Sequence, residues 1–407
     1  MQLKWWIATL LFLSVVINYI DRQCLSVLAP VITKELGLSP TGYANILNAF
    51  QLAYTLMYIG SGLLVDKWGT RFSLAFFMGW WSIANALHAF ATNAMGLGLF
   101  RFLLGLGEPG NFMAGFRVIS ECYEKQERAL VNGLLNAGSS VGAMAAPFLV
   151  TWLYTQLSWR GAFVICGFLG LLWIIPWLMI YRPLLPATEP QQSGEKVSAL
   201  PFFSLPQSWG LLVSRFLSDP VWWFYLFWLP KYLVDARGFT LKEMALVAWM
   251  PYLSADLGAM FGGWMSGHLI RRGFSTLAAR KAVMLPSALV MPVSLIVGTT
   301  ESRTLCIAMI CLVTFAHMSW KTNLSTVTND LYPTKVIGSV SGLFAFGNGL
   351  GGLLFTWLTG RLVESSGYFW VFAFMGVLHP IGYVLFQMLV RGPLRLSAAQ
   401  VHSVETA

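Results

Sequence analysis

Charged side chains are scarce in this chain of 407 residues. Asp, Glu, Lys and Arg make up only 11% of it, whereas hydrophobic residues make up 57%. A soluble domain normally carries about 25% charged residues, so this chain has too few charges to cover the surface of a soluble protein of its size. The high hydrophobicity also excludes an intrinsically disordered chain. The composition therefore predicts a polytopic helical membrane protein.

Motifs for catalysis and metal binding are missing as well. The five cysteines show no metal-ligand spacing and lie mostly inside apolar runs, as small buried hydrophobic residues do. The sequence contains neither the zinc-protease pattern HExxH nor a phosphate-binding loop. We therefore expect no metal, no cofactor and no enzymatic activity.

Basic residues outnumber acidic ones by 26 to 17, which gives a net charge of +9. They are scattered between apolar runs rather than gathered on one face, so we expect no nucleic-acid binding. The first apolar run follows Lys4 and is interrupted at Asp21 and Arg22, with no small-residue cleavage site after it. We interpret this run as a retained membrane helix and not as a signal peptide.

Long apolar runs fill most of the chain. A membrane-spanning helix needs about 20 mostly apolar residues. About twelve segments meet this requirement: 4–31, 42–65, 72–91, 95–118, 129–155, 160–181, 209–234, 243–270, 280–299, 303–329, 336–362 and 367–390. The sequence thus predicts an all-α membrane protein with twelve transmembrane helices.

One connection differs in composition from the others. Residues 183–207 are rich in proline, serine and charge, which is typical of a linker. We therefore expect a six-helix half at 1–182, a cytoplasmic linker at 183–207, a second six-helix half at 208–391 and a cytoplasmic tail at 392–407. Lysine and arginine favour one side of this arrangement by about two to one, which predicts that both termini lie inside the cell.

The two predicted halves share a weak internal repeat. A glycine-rich helix end followed by basic residues occurs at 62–71 (GLLVDKWGTR) and again at 262–281 (GGWMSGHLIRRGFSTLAARK). Each segment follows the second helix of its half. A duplicated six-helix unit is typical of a secondary transporter.

The first of these segments carries a family resemblance. It fits the loop signature G-x-x-x-D-[RK]-x-G-x-[RK] of the major facilitator superfamily through Gly62, Asp66, Lys67, Gly69 and Arg71. In that family the loop ties the second helix to its neighbours at the inner face. The resemblance therefore implies the twelve-helix fold and a gating role for these residues, above all for Asp66 and Arg71.

Other runs narrow the resemblance within the superfamily. NYIDR at 18–22, RFLLGLGEP at 101–109 and GLLNAGSSVGAMAAP at 133–147 are similar to the anion:cation symporters. RFLSDP at 215–220 and TFAH at 314–317 resemble the hexuronate transporter branch, as does the run at 238–264. This resemblance implies proton-coupled uptake of a sugar acid, with a hexuronate such as glucuronate or galacturonate expected first.

Ionisable residues inside the apolar spans indicate a polar pathway independently of the resemblance. Each costs about 2.5–3.5 kcal/mol at the centre of a membrane helix on insertion scales, so it must face water, a partner or the interface. The candidates are Asp21, Arg22, Arg101, Glu108, Arg117, Arg215, Asp219, Asp256 and Lys321.

Arg22 and Arg101 are the strongest candidates for binding a substrate carboxylate. The predicted topology places both in the outer half of the membrane, and a guanidinium group matches a carboxylate in bidentate geometry. The structural alternative is that one arginine only pairs with Asp21 or Glu108.

Glu108 and Asp21 are the candidates for carrying the coupling proton. A buried carboxyl holds or releases a proton according to whether a cation engages it. Glu108 lies on the same helix face as Arg101 but about 10 Å away along the axis, which is too far for direct contact. A fixed ion pair is the alternative role for each carboxyl.

Further polar residues complete the predicted substrate site. Arg215 is a candidate for binding substrate or for coupling, although Asp219 could pair with it on the same helix face. A hydroxyl-rich substrate also needs uncharged donors and acceptors, and the candidates are Tyr19, Tyr54, Asn136, Ser139, His317, Thr322, Asn323 and Asn348. Packing or interhelical hydrogen bonding is the alternative role for most of them.

The sequence therefore predicts a proton-coupled symporter that imports a sugar acid by alternating access. We expect a monomer in a bacterial inner membrane, with the substrate, protons and lipids as partners. An organic-anion exchanger, a uniporter, or a carrier of aldonates or aldarates on the same fold remains an alternative. A membrane enzyme, a receptor and a channel lack supporting motifs.

Overall fold

The computed structural model describes residues 2–184, 202, 204–332 and 337–392, and the described secondary structure is helical, without strands. Most of the predicted linker and nearly all of the predicted tail lie outside the described residues. The chain forms two compact units. The first comprises Met1–Pro190 and Leu226–Trp249, and the second comprises Gln191–Tyr225 and Met250–Ala407.

The helices are numbered in chain order. Those of the first unit are α1 (Gln2–Glu35), α2 (Pro40–Trp68), α3 (Thr70–Leu87), α4 (Ala94–Gly107), α5 (Pro109–Cys122), α6 (Lys125–Gln156), α7 (Trp159–Ile180), α9 (Leu229–Asp235) and α10 (Leu241–Val247). Those of the second unit are α8 (Pro206–Phe227, whose last residues belong to the first unit), α11 (Met250–Arg271), α12 (Thr276–Val290), α13 (Ser294–Thr299), α14 (Arg303–Leu331), α15 (Ile337–Ser366) and α16 (Tyr368–Leu389).

Side-chain caps fix several helix starts. Ser39, Asn93 and Ser158 each accept a hydrogen bond from the backbone N–H three residues on, at 3.1, 2.9 and 3.1 Å. Thr240 and Glu243 form a reciprocal capping box at the start of α10. These oxygens satisfy N–H groups that have no partner inside the helix.

In the first unit, α1 packs against α6 and α7, while α2 packs along α4. The indole N–H groups of α7 strengthen this packing, since Trp173 donates to the Leu10 carbonyl and Trp177 to the Arg71 carbonyl, both at 3.0 Å. This arrangement holds α1 beside the helices that carry the acidic and basic side chains described below.

In the second unit, α11 packs along α14, and α12 packs against α14 as well. The approach of α11 to α14 is so close that a Cβ atom on Gly258 would lie 2.1 Å from the Phe315 carbonyl oxygen. Ser254 Oγ donates to the Cys311 carbonyl across the same contact, at 2.7 Å. A glycine is therefore required at 258 by packing and not by its backbone conformation.

Eight helical segments of the described residues are long and apolar enough to cross a membrane. They are Leu3–Glu35, Gln126–Gln156, Trp159–Ile180, Leu241–Arg271, Thr276–Thr299, Arg303–Leu331, Val340–Ser366 and Tyr368–Leu389. Each overlaps one of the predicted spans, and the remaining predicted spans are helical as well.

Four predicted spans are interrupted rather than continuous. The breaks fall between α4 and α5, between α8 and α9, between α10 and α11, and at a short 3₁₀ turn between α12 and α13. A proline lies in the first turn of the helix after each of the first three breaks, at Pro109, Pro230 and Pro251. Pro292 lies within the 3₁₀ turn that forms the fourth break. Because proline has no N–H to donate, it is tolerated in the first turn of a helix and breaks the hydrogen-bond ladder elsewhere.

Candidate functional site

A buried ion pair joins α1 to the junction between α4 and α5. Arg22 donates from Nε and Nη2 to Glu108 Oε2, over 2.8 and 2.6 Å. The Arg22 side chain is 3% exposed and that of Glu108 is fully buried. In such a pair each charge depends on the other, because a single buried charge without its partner is strongly unfavourable.

Glu108 owes its position to the proline that follows it. Pro109 begins α5 and has no N–H to donate to the Gly105 carbonyl of α4, which interrupts the hydrogen-bond ladder at this point. The Glu108 carbonyl accepts from Asn111 N, three residues on, at 3.2 Å. The carboxylate therefore projects from a helix junction, where α1 can reach it.

Arg101 reaches the backbone of α1 instead of a carboxylate. Its Nη1 and Nη2 atoms each donate to the Arg22 carbonyl, at 3.2 Å, and its side chain is fully buried. Arg101 forms no ion pair within the part of the chain that the structure describes. Arg101 Nε and Glu108 Oε1 also lack hydrogen-bond partners there. The site thus holds one paired arginine and one whose charge is balanced by no direct partner.

Aromatic rings surround the Arg22 guanidinium. Its carbon atom Cζ lies 4.6 Å from the ring centroid of Tyr19, 5.0 Å from that of Tyr54 and 5.6 Å from that of Phe50. Arg101 Cζ lies 5.8 Å from the Phe50 ring as well. Cation–π contacts of this kind hold a guanidinium in place while leaving its N–H groups available to an anion.

Asp21 is bound to α3 rather than to its neighbour Arg22. Its Oδ1 accepts a hydrogen bond from Asn85 Nδ2 at 2.8 Å, and both side chains are fully buried. Arg22 Nη2 donates to Asn18 Oδ1 instead, at 3.3 Å. Neither Asn85 nor Asn18 is among the residues predicted from the sequence, although Asn18 stands one helical turn before Arg22 in the NYIDR run.

The Gly62–Arg71 loop predicted from the sequence consists, in the structure, of the last residues of α2, Gly69 and the start of α3. It contacts two other helices of the first unit. Asp66 forms an ion pair with Arg117 of α5, at 2.7 Å, and Arg71 donates to the Leu178 carbonyl of α7. Gly69, between α2 and α3, has a φ of +76°, a conformation that glycine adopts without steric cost. Lys67 is exposed, and Gly62 has open space around its Cα.

A second set of hydrogen bonds extends from the same end of α5. Glu121 pairs with Arg117 at 3.0 Å, accepts from Thr70 Oγ1 at 2.8 Å and accepts from the hydroxyl of Tyr181. Burial raises the pKa of the Tyr181 phenol, and the Glu121 carboxylate raises it further. The phenol therefore stays protonated and keeps donating to Glu121 throughout the physiological pH range.

In the second unit, Arg215 does not pair with Asp219, which was the alternative left open by their spacing on one helix. Arg215 Nη2 donates to Ser325 Oγ of α14, at 3.1 Å, and neither Arg215 nor Asp219 forms an ion pair with any residue that the structure describes. Side chains four residues apart on a helix lie near one another, but here the Arg215 guanidinium binds a serine of α14 instead of the carboxyl group on its own helix.

His317 is buried in a pair with His379 of α16. Its Nδ1 lies 3.1 Å from Nε2 of His379, so one of the two nitrogen atoms carries the proton that the other accepts. The Trp222 ring of α8 lies parallel to the His317 ring, with centroids 6.1 Å apart. The histidines thus join three helices of the second unit.

Three uncharged residues of the predicted site lie in the second unit and differ in their contacts. Asn348 accepts from Trp223 Nε1 at 2.9 Å, and Thr322 is half-buried on α14. Asn323 donates to the Gly262 carbonyl at 3.1 Å, so it holds α14 against α11.

Two predicted substrate residues of α6 bond within their own helix. Asn136 donates to the Asn132 carbonyl at 2.8 Å, and Ser139 donates to the Asn136 carbonyl at 2.6 Å. Asn136 is exposed and Ser139 half-buried. Neither bond uses the side-chain oxygen Oδ1 of Asn136.

Two helical units with apolar spans, the first of which encloses a buried ion pair, have the architecture of a polytopic membrane transporter. Among the described residues, no group of three or more His, Cys, Asp and Glu side chains is placed to hold a metal ion.

The sequence matches the Major Facilitator Superfamily over residues 11–356, and the chain belongs to this family. It is therefore a multi-pass membrane transporter and not an enzyme. It is 30% identical to the hexuronate transporter of Escherichia coli strain K12, over 98% of this chain and 96% of that one. It is 34% identical to the galacturonate transporter of Dickeya chrysanthemi, over 71% and 89%, and 26% identical to an Escherichia coli D-galactonate transporter, over 94% of each chain.

Solved structures agree on the fold. A bacterial homologue of the human lysosomal transporter Spinster aligns with a TM-score of 0.81, at 19% identity, over 98% of this chain and 99% of that one. The nucleoside transporter NupG aligns with a TM-score of 0.77, at 15% identity, over 95% and 99%.

Proposed function

We propose that this protein is a proton-coupled symporter that imports a sugar acid, a hexuronate first, by alternating access in a bacterial inner membrane. The proposal includes twelve spanning helices in two halves, both termini inside the cell, and a monomeric state. The similarity to hexuronate, galacturonate and galactonate transporters supports the substrate class.

The charge balance of the first unit is the observation that supports proton coupling. Its buried cluster holds two guanidinium groups, Arg22 and Arg101, and two carboxyl groups, Asp21 and Glu108. Their formal charges cancel before a substrate arrives. A sugar-acid carboxylate adds one negative charge in a low-dielectric environment, where an unbalanced charge is strongly unfavourable. Uptake of one proton by a carboxyl restores the balance.

Glu108 is the carboxyl best placed for this exchange, because it already engages Arg22. Protonation of Glu108 weakens its hold on Arg22, whose Nε and Nη2 donors then meet the substrate carboxylate in bidentate geometry. Departure of the substrate returns Arg22 to Glu108, and the proton leaves. Arg101 supplies the second positive charge, and Tyr19 and Tyr54 supply hydroxyl groups for the sugar.

The Gly62–Arg71 loop is proposed as a gate. The ion pair between Asp66 and Arg117 ties the end of α2 to α5, and the bond from Arg71 to the Leu178 carbonyl ties the start of α3 to α7. Breaking these contacts frees the end of α2 to move, as an alternating-access cycle requires.

Uptake into proteoliposomes tests the function. Purified protein is reconstituted, and accumulation of radiolabelled glucuronate or galacturonate is measured with an inside-alkaline pH gradient, without one, and with a protonophore. We expect accumulation only with the gradient, and competition by hexuronates but not by glucose. Stronger competition by aldonates or aldarates would change the substrate, whereas gradient-independent exchange of internal for external acid would show an exchanger.

A further inference from the structure

One face of α8 carries three polar or aromatic side chains, two of which contact α14. Arg215, Asp219 and Trp222 are spaced by four and three residues, which places them on the same side of a helix. Arg215 donates to Ser325 of α14, and the Trp222 ring lies parallel to His317 of the same helix. Asp219 occupies the helical turn between these two contacts.

The matching face of α14 carries a lysine at the same level. Ser325 and His317 are eight residues apart, and Lys321 lies midway between them, four residues from each. Because both ends of this stretch contact α8, the antiparallel register sets Lys321 opposite Asp219. Lys321 lies about 6 Å along its helix from each flanking contact, and Asp219 lies about 6 Å from Arg215 and about 4.5 Å from Trp222.

These two charges have no partner in the conformation that the structure describes. Asp219 is 1% exposed, and neither of its carboxylate oxygen atoms has a hydrogen-bond partner among the described residues. Lys321 is half-buried and, like Asp219, takes part in none of the ion pairs found there. A buried carboxyl without any donor is an unfavourable arrangement, and a cationic partner gained in another conformation would remove that cost.

The first unit provides a comparison. There, Arg22 of α1 and Glu108 after α4 form a short, buried ion pair. In the proposed two-half arrangement, α8 and α14 hold the places of α1 and α4 in the second half. The second unit thus carries the same kind of helix pair with the charges reversed, the acid on the first helix and the base on the fourth.

We propose that Asp219 and Lys321 form a second ion pair of the transport cycle, made in a conformation other than the one described here. The inference rests on the proposed transport function. The two residues act as positioning residues, because the pair draws α8 and α14 together at one step and releases them at another. His317, one turn from Lys321 and bonded to His379, links the same step to α16.

Charge reversal is the first test. Asp219→Lys and Lys321→Asp are made separately and together, with the neutral variants Asp219→Asn and Lys321→Gln and their combination. We expect each single change to lower glucuronate uptake at least tenfold, because it leaves one charge uncompensated. Either combined variant should recover uptake to within about threefold of wild type. Exposed Lys242→Gln is the matched control. Combined variants that lose as much as the product of the single losses would overturn the proposal.

Disulfide trapping is the second test, and it needs no transport. Asp219→Cys and Lys321→Cys are introduced together into a variant whose five native cysteines are replaced by serine or alanine. Ser287→Cys with Ser319→Cys is the positive control, since the short side chains of these residues of α12 and α14 already meet, with their Oγ atoms 3.3 Å apart. We expect the 219–321 cross-link to form faster when substrate and a pH gradient drive the cycle. No cross-link under any condition, with the control pair cross-linked, would refute the approach of the two residues. A cross-link without any uptake by the wild-type protein would instead refute the proposed function alone.

Discussion

Replacing Glu108 with glutamine should separate substrate binding from proton coupling. The substitution keeps the size of the side chain and one oxygen acceptor for Arg22, but it removes the negative charge permanently. Arg22 stays charged in this variant, so the glutamine oxygen still accepts a charge-assisted hydrogen bond, but the attraction between two opposite buried charges is lost. Arg22 is therefore held less tightly, and we expect a competing substrate carboxylate to bind at least tenfold more tightly, which corresponds to about 1.4 kcal/mol.

Coupling should fail in the same variant. Because the glutamine amide carries no titratable proton, the incoming substrate charge cannot be balanced by protonation at this position. We expect Glu108→Gln to bind glucuronate and to exchange internal for external substrate at a rate near that of the wild type. It should not accumulate substrate when an inside-alkaline pH gradient is imposed on proteoliposomes.

Three measurements decide the matter: equilibrium binding to purified protein, counterflow exchange and gradient-driven accumulation. Glu301→Gln, which changes an exposed glutamate between α13 and α14, is the matched control and should leave all three unchanged. Accumulation by Glu108→Gln at the wild-type level would refute the reasoning. If Asp21→Asn alone lost coupling, Asp21 and not Glu108 would carry the proton.

The remaining predictions concern binding, gating and packing. Arg22→Ala and Arg101→Ala should each reduce sugar-acid uptake at least a hundredfold, because a charge-assisted bidentate contact or its supporting cation is lost, as initial-rate uptake will measure. Asp66→Asn should weaken the tie between α2 and α5, so that a cysteine probe placed at this end of α2 is labelled faster by a membrane-impermeant reagent. Gly258→Ala should lower the unfolding free energy by about 1–3 kcal/mol, because the new Cβ meets a backbone carbonyl, and thermal denaturation in detergent will detect it.

Matched variants distinguish these effects from general damage. Arg272→Ala removes an exposed arginine and should leave uptake unchanged. Gly263→Ala places a Cβ only 3.8 Å from the nearest atom, on the side chain of Thr322, and should be tolerated. Normal transport in both Arg22→Ala and Arg101→Ala, unaltered labelling in Asp66→Asn, or equal thermal stability of the two alanine variants at 258 and 263 would each contradict its own prediction.

The sequence predicted the helical fold, the family and the identity of the charged residues, because these depend on local composition. An arginine and a glutamate inside apolar runs are conspicuous wherever the helices lie. The helix breaks were also within reach, since Pro109 and Pro292 mark two of them and lie where a helix cannot propagate its hydrogen bonds.

The pairing of the charges was not within reach, because it depends on packing between distant segments. Arg22 and Glu108 are 86 positions apart, and nothing in either neighbourhood specifies that α1 crosses the α4–α5 junction at that level. Spacing along one helix suggested that Arg215 would pair with Asp219, but a serine of another helix competes for the guanidinium. Rules based on local spacing therefore predict which residues are neighbours on a helix face, but not which of several possible partners a side chain binds.

The contrast between the two units follows from the same physics. A charge inside an apolar bundle is stable only with a partner, so a transporter that must release and rebind an anion cannot pair all its charges permanently. The first unit holds one guanidinium in a short ion pair and leaves Arg101 with only carbonyl acceptors among the described residues. The second unit leaves Asp219 without a donor there. An incompletely paired group can bind a substrate or a proton, or it can gain a partner when the conformation changes. In such a fold, these groups are therefore the first candidates for functional residues.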